Sequence, residues 1–402
     1  MKLTHFSLTF DAQARVFVAG DRISGNVKVG FGKETKMRCL MLCLEGKAKS
    51  YWDVKQGKST TKYRARENYI SQNILLWGGM DGSRLHPEGY ATYPFNFPLN
   101  SDTPSSYEGK RGYVRYTCSA IIDRPWKFNE IIKEPFTVIH HLDCSQLLSA
   151  LNPIYEHRNE TIEGCCCEDG SVELDLSINK TAFVPGEPLV YDVTINNQSG
   201  NTISEFYLML RQVATFTGYS DSFFSSGKPH YHTKQENFSM FNQAVRVKKN
   251  SKQTYSGAST IPSLPPSILE GCNIINLQYF IILKIPSGWS SLKVEREIII
   301  GTKPARAVQP CAPRIPTSNE VAPSQIELSV FPSAPPSYDE LPPSYAECVF
   351  GAVDIHDEDD GEHTTTHGNW APAYTYYNWN QQNYSGPQPQ PVRPAPPSYD
   401  EL

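Results

Sequence analysis

The feature that most constrains the fold of this chain is an internal repeat. Residues 16–29 align with residues 182–195, so that a Gly-Asp pair in the first segment corresponds to a Gly-Glu pair in the second. Both segments have the pattern of a strand, a tight turn at the glycine and a second strand. A second match follows at nearly the same offset, between residues 104–122 and residues 266–285. Two matched blocks with one spacing predict two copies of a single domain.

Apolar and polar residues alternate in many segments of both copies. In residues 172–179, apolar side chains at even positions alternate with polar side chains at odd positions, a pattern typical of strands with one buried face. Residues 37–44 and 274–285 are largely apolar in both phases, which predicts strands covered on both faces. Only residues 144–151 have a helical pattern. We therefore predict an all-β fold in which each copy is a β-sandwich.

The domain boundaries are predicted from where this pattern starts and stops. The two copies span residues 1–145 and 168–301, and residues 146–167 connect them. From there on Pro, Ser, Gln and Asn accumulate and the apolar periodicity ends, so this part cannot bury enough apolar surface to offset the entropy cost of ordering. We predict a disordered Pro-rich tail over residues 302–402. Within it, we expect the acidic run 354–362 to be a solvated stretch.

Charge and composition argue against several function classes. The tail carries 4 basic and 13 acidic residues, against 33 basic and 29 acidic residues before it. A body near neutrality gives no argument for nucleic-acid binding. No stretch approaches 18 apolar residues, and the alternating N-terminus does not fit a signal-peptide core, so neither a membrane span nor export is expected. The ten cysteines lack the spacings of a secreted disulfide scaffold, which predicts reduced thiols and a cytoplasmic location.

No enzyme signature fits its sequence context. Residues 57–60, Gly-Lys-Ser-Thr, resemble the end of a phosphate-binding loop, but the position that needs the earlier glycine is Trp52. The sequence contains no Gly-x-Ser-x-Gly elbow, no His-Glu-x-x-His pair and no βαβ pattern for a dinucleotide. The pair His230 and His232 is interpreted as structural rather than metal-binding. We predict a protein that is not an enzyme and has no metal or cofactor.

The tail contains three copies of Pro-Pro-Ser-Tyr, each followed by an acidic residue within two positions. Adjacent prolines hold φ near −65° and favour polyproline II, a conformation that aromatic-lined grooves bind at low ordering cost. Several linked copies raise the apparent affinity, because the second binding event becomes intramolecular. The residues of the three units that we expect to bind are Pro335, Pro336, Tyr338, Pro342, Pro343, Tyr345, Pro396, Pro397 and Tyr399.

A second short motif overlaps the first of these units. Pro332, Ser333, Ala334 and Pro335 resemble the PSAP motif that the ESCRT sorting machinery binds. Four-residue matches arise by chance in Pro-rich segments, so a coincidental match is the alternative. If both motifs are used, the two partners compete, because Pro335 belongs to both.

Three adjacent cysteines, Cys165, Cys166 and Cys167, lie between the two copies. Adjacent cysteines lack the separation that lets a chain wrap around zinc, and no clear second ligand pair follows. Two interpretations stay open. The cluster is either a site of S-acylation that tethers the protein to a membrane or a group of simple thiols.

These blocks together resemble the α-arrestin branch of the arrestin family. The resemblance rests on Val-Ala-Gly-Asp-Arg-Ile-Ser-Gly at 18–25, Ser-Ser-Tyr-Glu-Gly-Lys-Arg-Gly-Tyr-Val-Arg-Tyr at 105–116, Arg-Pro-Trp at 124–126, Val-Pro-Gly-Glu at 184–187 and Pro-Ser-Ile-Leu-Glu-Gly at 266–271. It implies two arrestin-like β-sandwich domains in tandem. It also implies an adaptor that links membrane cargo, such as receptors or transporters, to HECT ubiquitin ligases through their WW domains. Such an adaptor promotes ubiquitination, endocytosis and endosomal sorting at the plasma membrane and endosomes.

An alternative function stays open on the same fold, namely a signalling scaffold or a redox-linked metabolic regulator. One relative in this branch captures thioredoxin through a cysteine in the strand that corresponds to residues 246–256. This stretch has no cysteine here. The resemblance therefore does not extend to thioredoxin capture.

Overall fold

The computed structural model describes the chain over residues 3–12, 14–79, 81–163, 168–221, 227–287, 290–305, 352–357, 360–366 and 370–377. Over these residues the protein is almost entirely β, with one short 3-10 helix at Cys144–Gln146. No helix in this part of the chain has the length and apolar character that crossing a membrane requires. The predicted all-β fold class, with two sandwich lobes in tandem, is confirmed.

Eleven strands build the first lobe. They are β1 (Leu3–Phe10), β2 (Val16–Val18), β3 (Arg22–Phe31), β4 (Thr35–Met37), β5 (Cys39–Gln56), β6 (Ser59–Gly78), β7 (Arg84–His86), β8 (Gly89–Pro98), β9 (Tyr107–Gly109), β10 (Gly112–Asp123) and β11 (Glu130–Ile139). One sheet has the order β1-β3-β8, and the facing sheet runs β6-β5-β10-β11-β2. The rings of Phe10 on β1 and Phe136 on β11 meet between the two sheets at 5.6 Å. The core of the lobe lies between the sheets, as in other β-sandwiches.

Nine strands build the second lobe. They are β12 (Ile154–Glu163), β13 (Glu168–Ile178), β14 (Ala182–Phe183), β15 (Pro188–Asn197), β16 (Ile203–Ser220), β17 (His230–Val247), β18 (Ser251–Thr260), β19 (Ile275–Ser287) and β20 (Ser290–Ile300). The sheet β12-β13-β15-β18 faces a sheet in which β17 pairs β16 beside β19, β20 and β14. A last strand, β21 (Thr364–Thr366), pairs with β11 of the first lobe.

The internal repeat predicted from the sequence recurs in the hydrogen bonds of both lobes. Ser106 exchanges two hydrogen bonds with the backbone of Val138, its own backbone N–H donating and its Oγ accepting, at 2.8 and 2.9 Å. Ser267 makes the same two bonds with Ile300, again at 2.8 and 2.9 Å. In each lobe the serine segment is thereby fixed to the last long strand. Ser106 and Ser267 thus take equivalent places in the two lobes, one residue out of step with the sequence alignment, which pairs Ser105 with Ser267.

The two lobes join through a continuous sheet, because β16 of the second lobe also pairs with β6 of the first. Beside this junction the carboxylate of Glu67 accepts two hydrogen bonds from Asn273, one from its backbone and one from its side chain, each 3.0 Å long. The ring of His232 stacks on Trp52 across the junction, with ring centroids 5.5 Å apart. The interpretation of this histidine as structural fits that position.

The connection between the lobes is mostly extended. Of residues 144–151, the segment with a helical pattern, Cys144–Gln146 forms the 3-10 helix and residues 148–151 form turns. Further along, β12 pairs antiparallel with β13. Part of the predicted connection, residues 154–163, therefore lies within the sheet of the second lobe.

Candidate functional site

The predicted short motifs and the cysteine cluster lie outside the described residues. This applies to the PSAP sequence at 332–335, the Pro-Pro-Ser-Tyr units at 335–338, 342–345 and 396–399, and Cys165, Cys166 and Cys167. Their use stays a prediction. The structure describes the chain again from residue 352, seven residues after the second unit.

The prediction that the acidic run 354–362 is a solvated stretch is wrong for Asp357 and Asp360, whereas Asp354 and Glu362 are exposed. The carboxylate of Asp357 lies 2.5 Å from the ammonium of Lys47 and 3.6 Å from those of Lys49 and Lys133. The hydroxyl of Tyr113 donates to it at 3.0 Å. The side chains of Lys47, Lys133 and Asp357 are only 7%, 5% and 8% exposed. The acidic run thus supplies the counter-ion of a buried cluster of lysines.

The three lysines come together because of their register in the sheet. Lys47 and Lys49 are two apart on β5, so their side chains point to the same face. On the neighbouring strand β10, Arg115 lies opposite Lys47 and Tyr113 lies opposite Lys49. On β11, Lys133 extends from the same face. The signal in the sequence that could have located this site is the spacing of Lys47 and Lys49, which places two lysines on one face of β5.

The fourth cation of this face has its own partner. The guanidinium of Arg115 makes two hydrogen bonds to the carboxylate of Glu108, at 2.7 and 2.9 Å, and both side chains are buried. Such a paired, two-point contact satisfies the arginine. The counter-ion supplied by Asp357 therefore serves the lysines and not Arg115.

A second carboxylate of the acidic run completes the site. Asp360 lies 2.7 Å from the ammonium of Lys133 and accepts a hydrogen bond of 2.8 Å from the backbone N–H of Asp357. The ring of His356 is 3.1 Å from the same carboxylate oxygen. The two acids therefore hold each other in place while they face the lysines.

The charges shift the pKa values of both acids. Burial on its own would raise the pKa of Asp357, but the hydrogen bond and charge of Lys47, with the charges of Lys133 and Lys49, lower it well below its ordinary value. Burial would also raise the pKa of Asp360. The hydrogen bond from the backbone N–H of Asp357 and the contacts with Lys133 and His356 outweigh this effect and lower the pKa. Both groups stay ionised at neutral pH. A buried ammonium without such a partner is costly.

The chain after the acidic run continues along the first lobe and reaches the second. Strand β21 pairs in parallel with the start of β11, which covers backbone groups that an edge strand would expose. Further on, the hydroxyl of Tyr374 donates to the carbonyl of Ser106 at 2.9 Å. The hydroxyl of Tyr377 donates to the carbonyl of Thr302, also at 2.9 Å. Both tyrosines are buried. We call residues 352–357, 360–366 and 370–377 the docked segment.

The docked segment also packs closely against Gly186, the turn glycine of the second repeat. Gly186 has a φ of 88°, in the left-handed region that disfavours side chains. A Cβ at this position would lie 2.0 Å from the backbone oxygen of Tyr377, whose N–H donates to the carbonyl of Pro185 at 3.0 Å. The glycine therefore permits both the turn and the close approach of the tail.

The described cysteines do not have the environment of reactive thiols. Burial raises the pKa of all five, which are Cys39, Cys43, Cys118, Cys144 and Cys272. For Cys43 the value is about 11 and for Cys144 about 12. A reactive thiol has the opposite shift. In this part of the chain no three residues among His, Cys, Asp and Glu are grouped as a metal site requires.

Two protein-family models match the chain. Residues 6–145 match the model "Arrestin (or S-antigen), N-terminal domain", and residues 168–305 match "Arrestin (or S-antigen), C-terminal domain". The chain belongs to the arrestin family. A relative from Caenorhabditis elegans, arrestin domain-containing protein 17, is 28% identical over 314 residues, which are 76% of this chain and 72% of the relative. This similarity places the chain in the α-arrestin branch.

Thioredoxin-interacting proteins are further relatives of this α-arrestin. Those of Sus scrofa and Homo sapiens are each 21% identical over 380 residues, 93% of this chain and 94% of the relative. Arrestin-family proteins are in general non-enzymatic adaptors that bind cargo and effector proteins. The two matched domains are the two lobes described above. The docked segment lies outside both matched ranges.

Proposed function

We propose that this α-arrestin links membrane cargo, such as receptors or transporters, to WW-domain HECT ubiquitin ligases. In this proposal the lobes bind the cargo through their concave sheet faces and the lobe junction. The Pro-Pro-Ser-Tyr units recruit the ligase. The outcome is ubiquitination, endocytosis and endosomal sorting of the cargo. The protein acts from the cytoplasm and is recruited to the plasma membrane and endosomes, and it is itself not an enzyme.

The observation that carries this proposal is the position of the docked segment next to the motifs. Tyr345, the last residue of the second unit, precedes Ala352 by seven residues. Seven residues span at most about 25 Å, even in a fully extended chain. While Ala352 is docked, a WW domain bound at this unit is therefore held beside the first lobe. A ligase held there is close to any cargo that the lobes bind, which is the arrangement that an adaptor needs.

Calorimetry with a tandem WW fragment tests the ligase half of the proposal. Tyr338→Ala with Tyr345→Ala should remove most of the binding, because it destroys the two adjacent units. Tyr399→Ala alone should remove less. Tyr384→Ala, a tail tyrosine outside the three units, is the matched control and should bind like the wild type. Undiminished affinity in the double variant would refute ligase recruitment by these units.

Cargo measurements test the other half. A variant with all three unit tyrosines changed to alanine should leave candidate cargo at the cell surface and less ubiquitinated. Proximity labelling with the same variant separates partners that require the ligase from partners that contact the lobes. If surface levels and ubiquitination of every labelled cargo stay unchanged, the adaptor proposal fails.

Recruitment of the sorting machinery is a further part of the proposal. Pro332, Ser333, Ala334 and Pro335 would bind an ESCRT component, in competition with a WW domain at the first unit. Competition binding on a peptide of residues 328–342 tests this. Simultaneous occupancy by both partners would refute the competition.

Membrane tethering by Cys165, Cys166 and Cys167 is the remaining modification that we propose to test. S-acylation there would tether the second lobe to a bilayer through the segment between β12 and β13. Replacement of all three cysteines by serine should then reduce membrane association in cells. Unchanged association would leave the cluster as simple thiols.

A redox-linked regulator is the second candidate function, and the names of the thioredoxin-interacting relatives favour it. Two observations oppose transfer of that activity. Residues 246–256 contain no cysteine, and all five described cysteines have raised pKa values. We expect no mixed disulfide with thioredoxin on non-reducing gels of the purified proteins. A trapped adduct would reverse the ranking of the two functions.

A further inference from the structure

The loop between β10 and β11 presents two aromatic rings to solvent. Trp126 is completely exposed, and Phe128, with Lys127 between them, is 75% exposed. Trp126 also has a φ of 57°, in the left-handed region that is unfavourable for a bulky residue. Strained backbone of this kind tends to occur at functional positions. A strained loop that displays a large apolar side chain to water has no explanation in the packing of the lobe.

Arg124 holds the loop in this conformation. Its Nε donates to the carbonyl of Phe128 at 2.9 Å, and its Nη2 pairs with the carboxylate of Glu130 at 2.7 Å. Its backbone N–H donates to the side chain of Asn129 at 3.3 Å. On one side, the ring of His363 from the docked segment lies 4.9 Å from that of Phe128. The loop that carries the two aromatic rings is therefore preorganised, and binding of this loop to a partner would cost little conformational entropy.

The loop lies at the end of the first lobe that is farthest from the second lobe. β10 starts at Gly112, where a Cβ would lie 3.0 Å from Phe216 of the second lobe, and it ends at Asp123. Eleven residue steps of a strand separate these ends by about 37 Å. At the same end, Leu75 and Leu85 are further exposed apolar side chains. These side chains add to Trp126 and Phe128 at the same end of the lobe.

Charges near the tip favour a negatively charged surface. Lys127 is exposed and has no ion-pair partner among the described residues, and neither has Lys36, two residues before Arg38. Arg38 itself pairs with Asp123. Glu362, next to His363, is an exposed carboxylate that opposes this trend. Tryptophan, phenylalanine and lysine together are the residue types that bind the headgroup layer of an anionic bilayer.

We propose that Trp126, Lys127 and Phe128 form a membrane-docking tip that inserts its rings into the headgroup region of an anionic lipid bilayer. A bilayer fits better than a protein partner because the side chain of Trp126 is completely exposed. A bilayer admits protruding rings without a complementary pocket, whereas a protein would need a cavity shaped for Trp126. The inference goes beyond the proposed function and stands without it, since lipid binding requires neither cargo nor ligase.

Vesicle cosedimentation of the purified full chain tests the proposal. The probes are vesicles of phosphatidylcholine alone and of phosphatidylcholine with phosphatidylserine as a minority component. Trp126→Ala with Phe128→Ala should weaken binding to the mixed vesicles at least about tenfold. This factor corresponds to the transfer from water to the bilayer of about a third of the ~150–250 Å² surface of one aromatic side chain. Lys127→Ala should weaken binding to the mixed vesicles only. Both variants should keep the wild-type melting temperature, because the changed side chains are exposed.

A matched control separates the tip from general surface hydrophobicity. Leu148→Ala with Tyr155→Ala removes two exposed apolar side chains from the connection and the second lobe, and it should leave vesicle binding unchanged. The proposal is overturned if the wild type does not bind mixed vesicles or if the tip variant binds like the wild type. Equal loss in the control variant would overturn it as well. A tip variant that loses a protein partner but keeps vesicle binding would make the loop a protein-docking site instead.

Discussion

The two lobes bury lysines in different ways. In the second lobe, the ammonium of Lys180 lies 2.5 Å from the carboxylate of Glu187, seven residues away, and both side chains are 3% exposed. In the first lobe, Lys47 and Lys133 are almost as buried, but the carboxylates closest to them come from the docked segment, and Glu45 on β5 lies farther from Lys47, at 3.6 Å. The acid nearest to Lys133 is Asp360, 227 residues further along the chain.

This difference separates a structural ion pair from a docking site. Burial of an ammonium is tolerated only with a partner. The pair of Lys180 and Glu187 spans a turn of the second lobe and forms whenever that turn folds, with Glu187 also accepting a hydrogen bond from the backbone of Val184 at 3.0 Å. The lysines of the first lobe gain buried counter-ions only when the tail docks, since Glu45, the carboxylate on β5 near Lys47, is largely exposed. Four changes should break or sharpen this comparison.

The largest effect is expected from Lys180→Met. It leaves the carboxylate of Glu187 buried without its cation, which typically costs about 3–5 kcal/mol of unfolding free energy. Denaturant unfolding of the full chain measures this loss. Lys28→Met, at an exposed position on β3, is the matched control and should change stability by less than about 0.5 kcal/mol. A similar small change for Lys180→Met would show that the pair is not structural.

Asp357→Asn should release the docked segment and leave the body folded. It removes a charge-assisted contact worth about 1.5–3 kcal/mol, so the equilibrium constant for docking should fall by roughly ten- to a hundredfold. Limited proteolysis should then cleave faster within residues 352–377, whereas the melting temperature of the lobes changes little. Asp354→Asn, in the same run but exposed, should cleave like the wild type. Equal cleavage of both variants would contradict the docking role of Asp357.

Acid should release the same segment, but only at low pH. The pKa of Asp357 is lowered in the docked state, so its contribution is complete above the ordinary carboxylate pKa near 4 and is lost as the pH falls through the lower docked value. Docking should be unchanged between about pH 7 and pH 5 and should weaken below about pH 4. Energy transfer between dyes at positions 36 and 362 measures this, with circular dichroism to confirm that the lobes stay folded. Release of the docked segment between pH 7 and pH 5 would contradict the conclusion that the ionised carboxylate of Asp357 holds it.

The smallest effect is expected from Tyr374→Phe. The ring stays buried, but the hydrogen bond to the carbonyl of Ser106 is lost, which costs docking about 0.5–1.5 kcal/mol. Proteolysis within residues 352–377 should accelerate less than for Asp357→Asn. Tyr374→Ala, which also removes the ring, should accelerate cleavage more than either Tyr374→Phe or Asp357→Asn. An acceleration by Tyr374→Phe as large as that of Asp357→Asn would show that the tyrosine, and not the charge cluster, dominates docking.

The sequence predicted the lobes because their determinants are local. Alternation fixes which residues of a strand face the core, and the repeated glycine turn, seen again at Gly20 and Gly186 with φ of 93° and 88°, marks where each copy begins. The docked segment was not predicted, because the lysines that face its acids are more than two hundred residues away and an acidic run has the composition of a solvated stretch. The charges of Lys47 and Lys49 on one face of β5 were visible in the sequence. Their counter-ion was not.

The same distinction applies to Trp126. Its sequence, Arg-Pro-Trp, was one of the blocks that indicated the family, and an aromatic residue near a strand end is usually assigned to a core. Only the structure shows that its side chain is exposed and that its backbone is strained. The sequence shows which residue occupies the position, whereas the exposure of its side chain depends on the tertiary fold.

The central claim is that the acidic tail segment docks on the first lobe and reaches the second. Amide hydrogen exchange on the full chain tests it most directly. The amides of Val353 and Trp370 bond to each other's carbonyls, and that of Tyr377 bonds to Pro185, so exchange at these positions should be at least about tenfold slower than in an unstructured peptide. Asp357→Asn should remove this protection and leave that of the lobes intact. Exchange at unstructured rates in the wild type would contradict the account.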